Sequence, residues 1–294
     1  MVEGYFPGTI KEALKILSEK DVIIYAGGTD LMVRNKNAAS LLPKFNKALL
    51  YIKDLKELKE VKKSESDIEI GAACSLASLL RKKEIPEILK EAVRQIASPA
   101  IRNMGTIGGN ICNASPAGDT LPILYALDAK LKLTSENSSR EIKIEDFILG
   151  PRKTALEKNE LLESVIIPKS EFNKTHYEKV GARKASAISK LSFVGLAQVE
   201  DEIVKYIRIA VGSVGPKVVR IKKAEDIITG RSLKDIEQQI TEMEKIYSEN
   251  ITPIDDQRST AVYRKKTAIR LIQYFLNIEI KYNQKNFKGG NVNE

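Results

Sequence analysis

The chain has 294 residues, enough for two domains that each bury a core. Hydrophobic residues make up 43% and charged residues 30%, the balance of a folded chain, and no run approaches the roughly 20 apolar residues of a membrane span. The net charge of +9 comes from 48 basic and 39 acidic residues. The lysines are interleaved with acids, as in Lys53-Asp54-Leu55-Lys56-Glu57-Leu58-Lys59-Glu60, which marks solvated faces and, without Trp or a basic stripe among aromatics, does not indicate nucleic-acid binding.

In chain order, Thr9 and Glu12 form a capping box, and Ala13, Leu14, Ile16 and Leu17 continue a helix. Val22–Ala26 reads as a buried strand rich in β-branched residues, leaving directly into Gly27-Gly28-Thr29-Asp30. Three more strands are expected around 47–52 and 59–72, with a turn at Ser64–Asp67. Residues 75–97 read as helix, interrupted at Pro86. A long loop follows over 98–119, rich in glycine, asparagine and serine. Thr120–Leu127 reads as a short apolar helix with Asp119 as its N-cap and Pro122 in its first turn. Ala129–Thr134 and Glu141–Ile144 suggest a hairpin.

After about residue 170 the texture changes. His176–Ala182, Leu191–Glu200 and Ile203–Gly212 read as antiparallel strands, the last two joined by a turn at Asp201-Glu202. Residues 217–229, 232–247 and 258–277 read as helices, an α+β module. The segment 281–294 is expected to be a frayed tail. Met1–Tyr5 lacks the layout of a signal peptide, and Cys74 and Cys112 define no disulfide framework, so a cytoplasmic location without membrane attachment is expected.

Few residues can carry chemistry. The one histidine, His176, sits in an alternating strand and reads as a packing or surface residue. Two distant cysteines and one histidine build neither a zinc site nor an iron–sulfur cluster, so no metal is expected in this chain. Two glycine-containing loops remain. Glycine lets backbone approach a ligand, and successive N–H groups cradle phosphate oxygens. Gly27-Gly28-Thr29 suits that role, with Asp30 as a loop-stabilising or capping residue turned away from the anion. Gly105, Gly108, Gly109 and Gly118 lie in the long loop, and long ordered loops are commonly functional. Neither the dinucleotide fingerprint nor the P-loop pattern is present.

Five motifs in order resemble the FAD-binding medium subunit of the molybdenum hydroxylases, the family of carbon monoxide, nicotinate and xanthine dehydrogenases. They are Ala26-Gly27-Gly28-Thr29-Asp30, Ser98-Pro99-x-Ile101-Arg102-Asn103, Gly105-Thr106-Ile107-Gly108-Gly109-Asn110, Ser115-Pro116-Ala117-Gly118-Asp119 and Lys179-Val180-Gly181-x-Arg183-Lys184. The likeness runs over nearly the whole chain. It implies an α+β fold: a two-subdomain FAD-binding domain of the PCMH type over 1–170, divided near residue 55, then a smaller C-terminal domain of antiparallel strands and helices over 171–280.

The resemblance further implies non-covalent FAD held by Ile24, Tyr25, Ala26, Gly27, Gly28, Thr29, Asp30 and Leu31, by Thr106, Ile107, Gly108, Gly109 and Asn110, and by Asp119, Leu162 and Lys179. No residue is catalytic in its own right; Lys179 lies by the flavin and tunes it, or else is a surface lysine in a basic run with Arg183 and Lys184. Partner chains, a large molybdopterin subunit and a small subunit with two [2Fe–2S] clusters, assemble with this one as a dimer of heterotrimers. Electrons run from molybdenum through the clusters to FAD and then to an acceptor such as NAD. The alternatives are a stand-alone FAD-dependent oxidoreductase that reacts with NAD(P)H or oxygen, and a flavin-less scaffold subunit.

Overall fold

The computed structural model describes residues 2–36 and 41–281; the expected tail, from residue 282 on, lies outside the described residues. The N-terminal unit contains β1 (Gly4–Tyr5), α1 (Ile10–Glu19), β2 (Val22–Tyr25), α2 (Leu31–Arg34) and β3 (Ala48–Tyr51), with a parallel sheet in the order β1-β3-β2. The Thr9 hydroxyl caps α1 by accepting from the Glu12 N–H, and the Glu12 carboxylate accepts from the Gly8 N–H. Ala13, Leu14 and Leu17 on one face of α1 pack on Leu50. The same core takes in Leu55, Leu58, Ala73 and Leu161, which fixes this unit to the next.

The second unit is built on an antiparallel sheet ordered β4-β5-β10-β6-β7. Its elements are β4 (Val61–Lys63), β5 (Asp67–Gly71), α3 (Leu76–Leu79), α4 (Glu87–Arg94), α5 (Pro99–Met104), α6 (Ile107–Cys112), α7 (Thr120–Ala126), β6 (Lys130–Thr134), β7 (Ser139–Lys143), α8 (Ile144–Phe147), β8 (Ile148–Gly150), β9 (Lys153–Thr154) and β10 (Leu161–Pro168). Two expectations are corrected here. Residues 98–119 are not one long loop, because Ser98 and Thr106 each cap a short helix through the side-chain oxygen. Asp119 makes no capping hydrogen bond to α7, because its carboxylate is engaged elsewhere.

The C-terminal unit is the sheet β11 (Lys174–Val180), β12 (Leu191–Glu200), β13 (Ile203–Gly212) and β14 (Val219–Arg220), paired in that order and antiparallel. Asp201 and Glu202 both take positive φ in the β12–β13 turn, the geometry that follows the strand twist. The helices are α9 (Lys222–Ile228), α10 (Glu237–Asn250) and α11 (Ala261–Tyr274), the last continuing as a π-helical turn over Phe275–Ile280. The helix expected over 217–229 therefore starts late, since Val219 and Arg220 pair with β13 instead.

This sheet is buried on both faces. Val194, Leu196 and Ala210 join the core of the second unit, whereas Leu191, Phe193 and Val211 pack under α9–α11. Helix α7, buried along its whole length, lies against the first face, and Gly212 leaves room for Pro122, since a Cβ there would come 2.8 Å from the proline Cγ. The C-terminal unit grips α7 at both ends. Arg220 and Arg208 donate to the carbonyls of Tyr125 and Ala126 and pair with Asp128, where cations complement the carboxyl end of a helix. Lys179 and Ser189 hold Asp119 at the other end.

Candidate functional site

The loop after β2 has two features that only its sequence allows. Gly28 sits at φ +69, a left-handed conformation that costs other residues roughly 1–2 kcal/mol. Gly27 presses on the second loop: a Cβ there would collide with the Met104 carbonyl and lie 2.8 Å from Gly105 Cα. The two glycine loops therefore touch, and Gly105 in turn faces Thr29 Oγ1. Gly27, Gly28, Thr29 and Asp30 donate their backbone N–H groups to no acceptor among the described residues. Consecutive unpaired N–H groups around a left-handed residue form a concavity for an anion.

Of the two roles expected of Asp30, the capping one is not taken. It makes no capping bond to α2, and its Oδ2 instead lies 3.6 Å from Arg34 Nη1, which offsets its charge beside the N–H cluster. Ile24, Tyr25, Ala26 and Leu31 flank the loop, all half-buried.

The second loop is organised differently. The Ile107 and Gly108 N–H groups donate to the carbonyls of Cys74 and Ala72, and those of Gly109 and Asn110 to the hydroxyl and carbonyl of Thr106. None of these four is free for a ligand. Gly108 is a packing glycine, since a Cβ would come 2.6 Å from Ala72 Cβ. Gly109 is exposed, and its Cβ would meet only Thr106 Oγ1, at 2.9 Å; this is the face that a ligand can approach. The Asn110 Oδ1 accepts from the Thr120 hydroxyl at 2.6 Å, which orients the amide.

Asp119 and Lys179 come together from different units. Lys179 Nζ lies 2.8 Å from Asp119 Oδ2 and also donates to the Gln95 carbonyl at 2.8 Å. The Ser189 hydroxyl donates to Asp119 Oδ1. The lysine and aspartate side chains are 6% and 8% exposed, so the surface reading of Lys179 is corrected. Nothing in the local pattern marks Ser189, which is wholly buried. Burial and the nearby Asp119 carboxylate hold the Tyr177 phenol neutral, well above its usual range.

Leu162 stands apart. Its side chain is in the core and its backbone pairs with Leu133, next to a register shift before Ser164. His176 packs between Phe193 and Tyr274, 3.7 Å from Glu279. A cavity of about 230 Å3 lined by Tyr125, Ile144, Glu145 and Lys222 contains none of the residues singled out from the sequence. No group of metal-binding side chains occurs among the described residues.

Residues 1–170 match the family model for the FAD binding domain in molybdopterin dehydrogenase, and residues 176–278 match the CO dehydrogenase flavoprotein C-terminal domain. The chain belongs to this family. As an FAD-binding medium subunit it is 32% identical to the glyceraldehyde dehydrogenase medium chain of Sulfolobus acidocaldarius, covering 88% of this chain and 91% of that one. It is 33% identical to the nicotinate dehydrogenase FAD-subunit of Eubacterium barkeri, covering 79% and 80%. A solved carbon monoxide dehydrogenase from Hydrogenophaga pseudoflava superposes with a TM-score of 0.84 at 26% identity, covering 95% of this chain and 96% of that chain. This medium subunit is thus part of a dehydrogenase-type oxidoreductase with FAD as its cofactor. The donor set fits that group: four N–H groups without an acceptor among the described residues suit a diphosphate, and the neighbouring carboxylate is offset by Arg34.

Proposed function

We propose that this chain is the flavin relay of a molybdenum hydroxylase-type complex, working in the cytoplasm as part of a dimer of heterotrimers. FAD bound here would supply the redox chemistry, so that the chain would take electrons from [2Fe–2S] clusters on a small partner chain and pass them to an acceptor such as NAD, while a large partner chain holds molybdopterin. The observation that carries the reading is the row of four N–H groups from Gly27 to Asp30 that have no acceptor among the described residues, seated where the two glycine loops meet. In this reading Gly28 and Thr29 cradle the diphosphate, Gly109 gives close approach from the other side, and Asn110 is held in place by Thr120. Asp119 and Lys179 face the flavin end, locked by Ser189 and the Gln95 carbonyl. Ile24, Tyr25, Ala26 and Leu31 wall the first loop. Both cysteines are free, and no helix among the described residues is long and apolar enough to cross a membrane.

Purification of the native complex by a tag on this chain tests the reading. A large molybdopterin chain and a small cysteine-rich chain should accompany it, in equal amounts, at the mass of two heterotrimers. The isolated chain should oxidise no organic substrate. Turnover by the pure single chain, with no companions, would establish the stand-alone alternative instead, and a colourless native complex would establish the scaffold.

A further inference from the structure

The parallel sheet of the N-terminal unit ends in a row of aromatic rings. Tyr25 and Tyr51 are register partners at the carboxyl ends of β2 and β3. The last pair of β1 with β3 is Tyr5 with Leu50, so Phe6, one residue on, falls opposite Tyr51. The rings follow the same order. Phe6 stacks on Tyr51 at 4.4 Å with the planes 9° apart, and Tyr51 meets Tyr25 at 4.8 Å. Tyr5, Ile24 and Leu50 belong to the core under α1, so strand alternation puts the aromatic row on the other face.

The two ends of the row differ. At the inner end the Tyr25 ring lies on the glycine loop, where a Cβ on Gly28 would come 2.8 Å from its Cε2. At the outer end Phe6 is 75% exposed with one ring face on Tyr51. A phenyl ring left in water gains little from burial, yet here it extends a stack that begins at the anion-binding loop. Open parallel sheets take ligands at the carboxyl ends of their strands, and an aromatic face suits a flat, uncharged base.

We propose that this row, with Phe6 as its outer platform, is the subsite that stacks the adenine ring of the bound FAD. The inference rests on the FAD reading above and assigns the two arms of the cofactor. The diphosphate lies at the Gly27–Asp30 loop. The arm toward Asp119 and Lys179 carries the isoalloxazine, and the arm toward the N-terminal sheet carries the adenosine. Two ring-to-ring steps span the distance from the loop to Phe6.

The test is titration of the flavin-free full chain with FAD and with FMN, which lacks the adenosine, followed by flavin fluorescence. Phe6→Ala should weaken FAD binding by about tenfold, the size of one lost base stack, and leave FMN binding as in wild type. Phe6→Trp should restore FAD affinity. Circular dichroism checks that each variant is folded, as the exposure of Phe6 leads one to expect. Wild-type FAD affinity in Phe6→Ala would overturn the proposal, and so would an equal loss for FAD and FMN, which would put the ring against the flavin or the phosphates. Failure of the wild-type chain to bind FAD at all is a separate outcome, seen before any variant is made, that removes the FAD reading itself.

Discussion

Lys179 on β11 and Asp119 at the start of α7 form a buried ion pair, 2.8 Å apart, that joins the C-terminal unit to the second unit. Desolvating both charges is costly, and the pair is retained only because each member is further satisfied, by the Gln95 carbonyl and the Ser189 hydroxyl. Removing one partner strands the other. Lys179→Met should lower unfolding stability by about 3–5 kcal/mol, measured by urea titration. The double variant Lys179→Met/Asp119→Asn should recover part of that loss, because no bare charge remains. Equal losses in the single and double variants would mean that the charge is not what matters.

The two adjacent glycines of α6 should behave differently. Gly108→Ala drives a Cβ into Ala72, whose backbone cannot easily give way, so it should destabilise the fold by about 1–3 kcal/mol. Gly109→Val meets only the capping hydroxyl of Thr106 and should fold, yet fail to retain FAD because the branched side chain occupies the approach face. Thermal melting and flavin content of the two purified variants separate these outcomes; normal flavin occupancy in Gly109→Val would count against close approach there.

Local signals were legible and distant ones were not. The caps at Thr9 and the strand pairing across Asp201-Glu202 depend on neighbouring residues and follow from spacing alone. The glycine pair at 27 and 28 points to a ligand loop, but its close approach to Met104 and Gly105 depends on residues far along the chain. Strand β10, central in its sheet, is not legible in the sequence because Glu163 and Ser164 interrupt its apolar run at the register shift. Those two polar side chains are held by Lys132, Thr134 and Glu69 from other strands. Asp119 read as a cap because its partners, Lys179 and Ser189, lie far along the chain.

The cofactor should be releasable. Burial pushes the Cys112 thiol up to about 12 and raises Cys74 as well, so neither is a thiolate at neutral pH. His176 is enclosed by Phe193 and Tyr274. No thiolate or open imidazole is therefore presented as a tether. Denaturation and filtration should leave FAD, one per chain, in the filtrate and a colourless protein behind. In the same buffer at pH 8, iodoacetamide should spare both cysteines until denaturant is added; flavin retained on the chain, or fast alkylation of the native protein, would contradict this.

The ion pair also makes a prediction about redox potential whose sign depends on both partners. Reduction adds negative charge to a flavin ring, and a charge held nearby in a water-poor site biases that step. In the wild-type protein Lys179 and Asp119 largely cancel, so their joint effect on the flavin is small. Lys179→Met leaves the aspartate uncompensated, opposes the added negative charge and should lower the potential. Asp119→Asn leaves the ammonium uncompensated and should raise it. The double variant should return close to wild type. For a two-electron couple, about 30 mV corresponds to about 1.4 kcal/mol, so shifts of that order are expected in each single variant and are readable by equilibrium titration against a dye. The opposite signs are what a general loosening of the fold cannot produce, since both single variants destabilise the protein. Unchanged potentials in fully flavinated single variants would make the pair a structural clamp that does not sense the flavin.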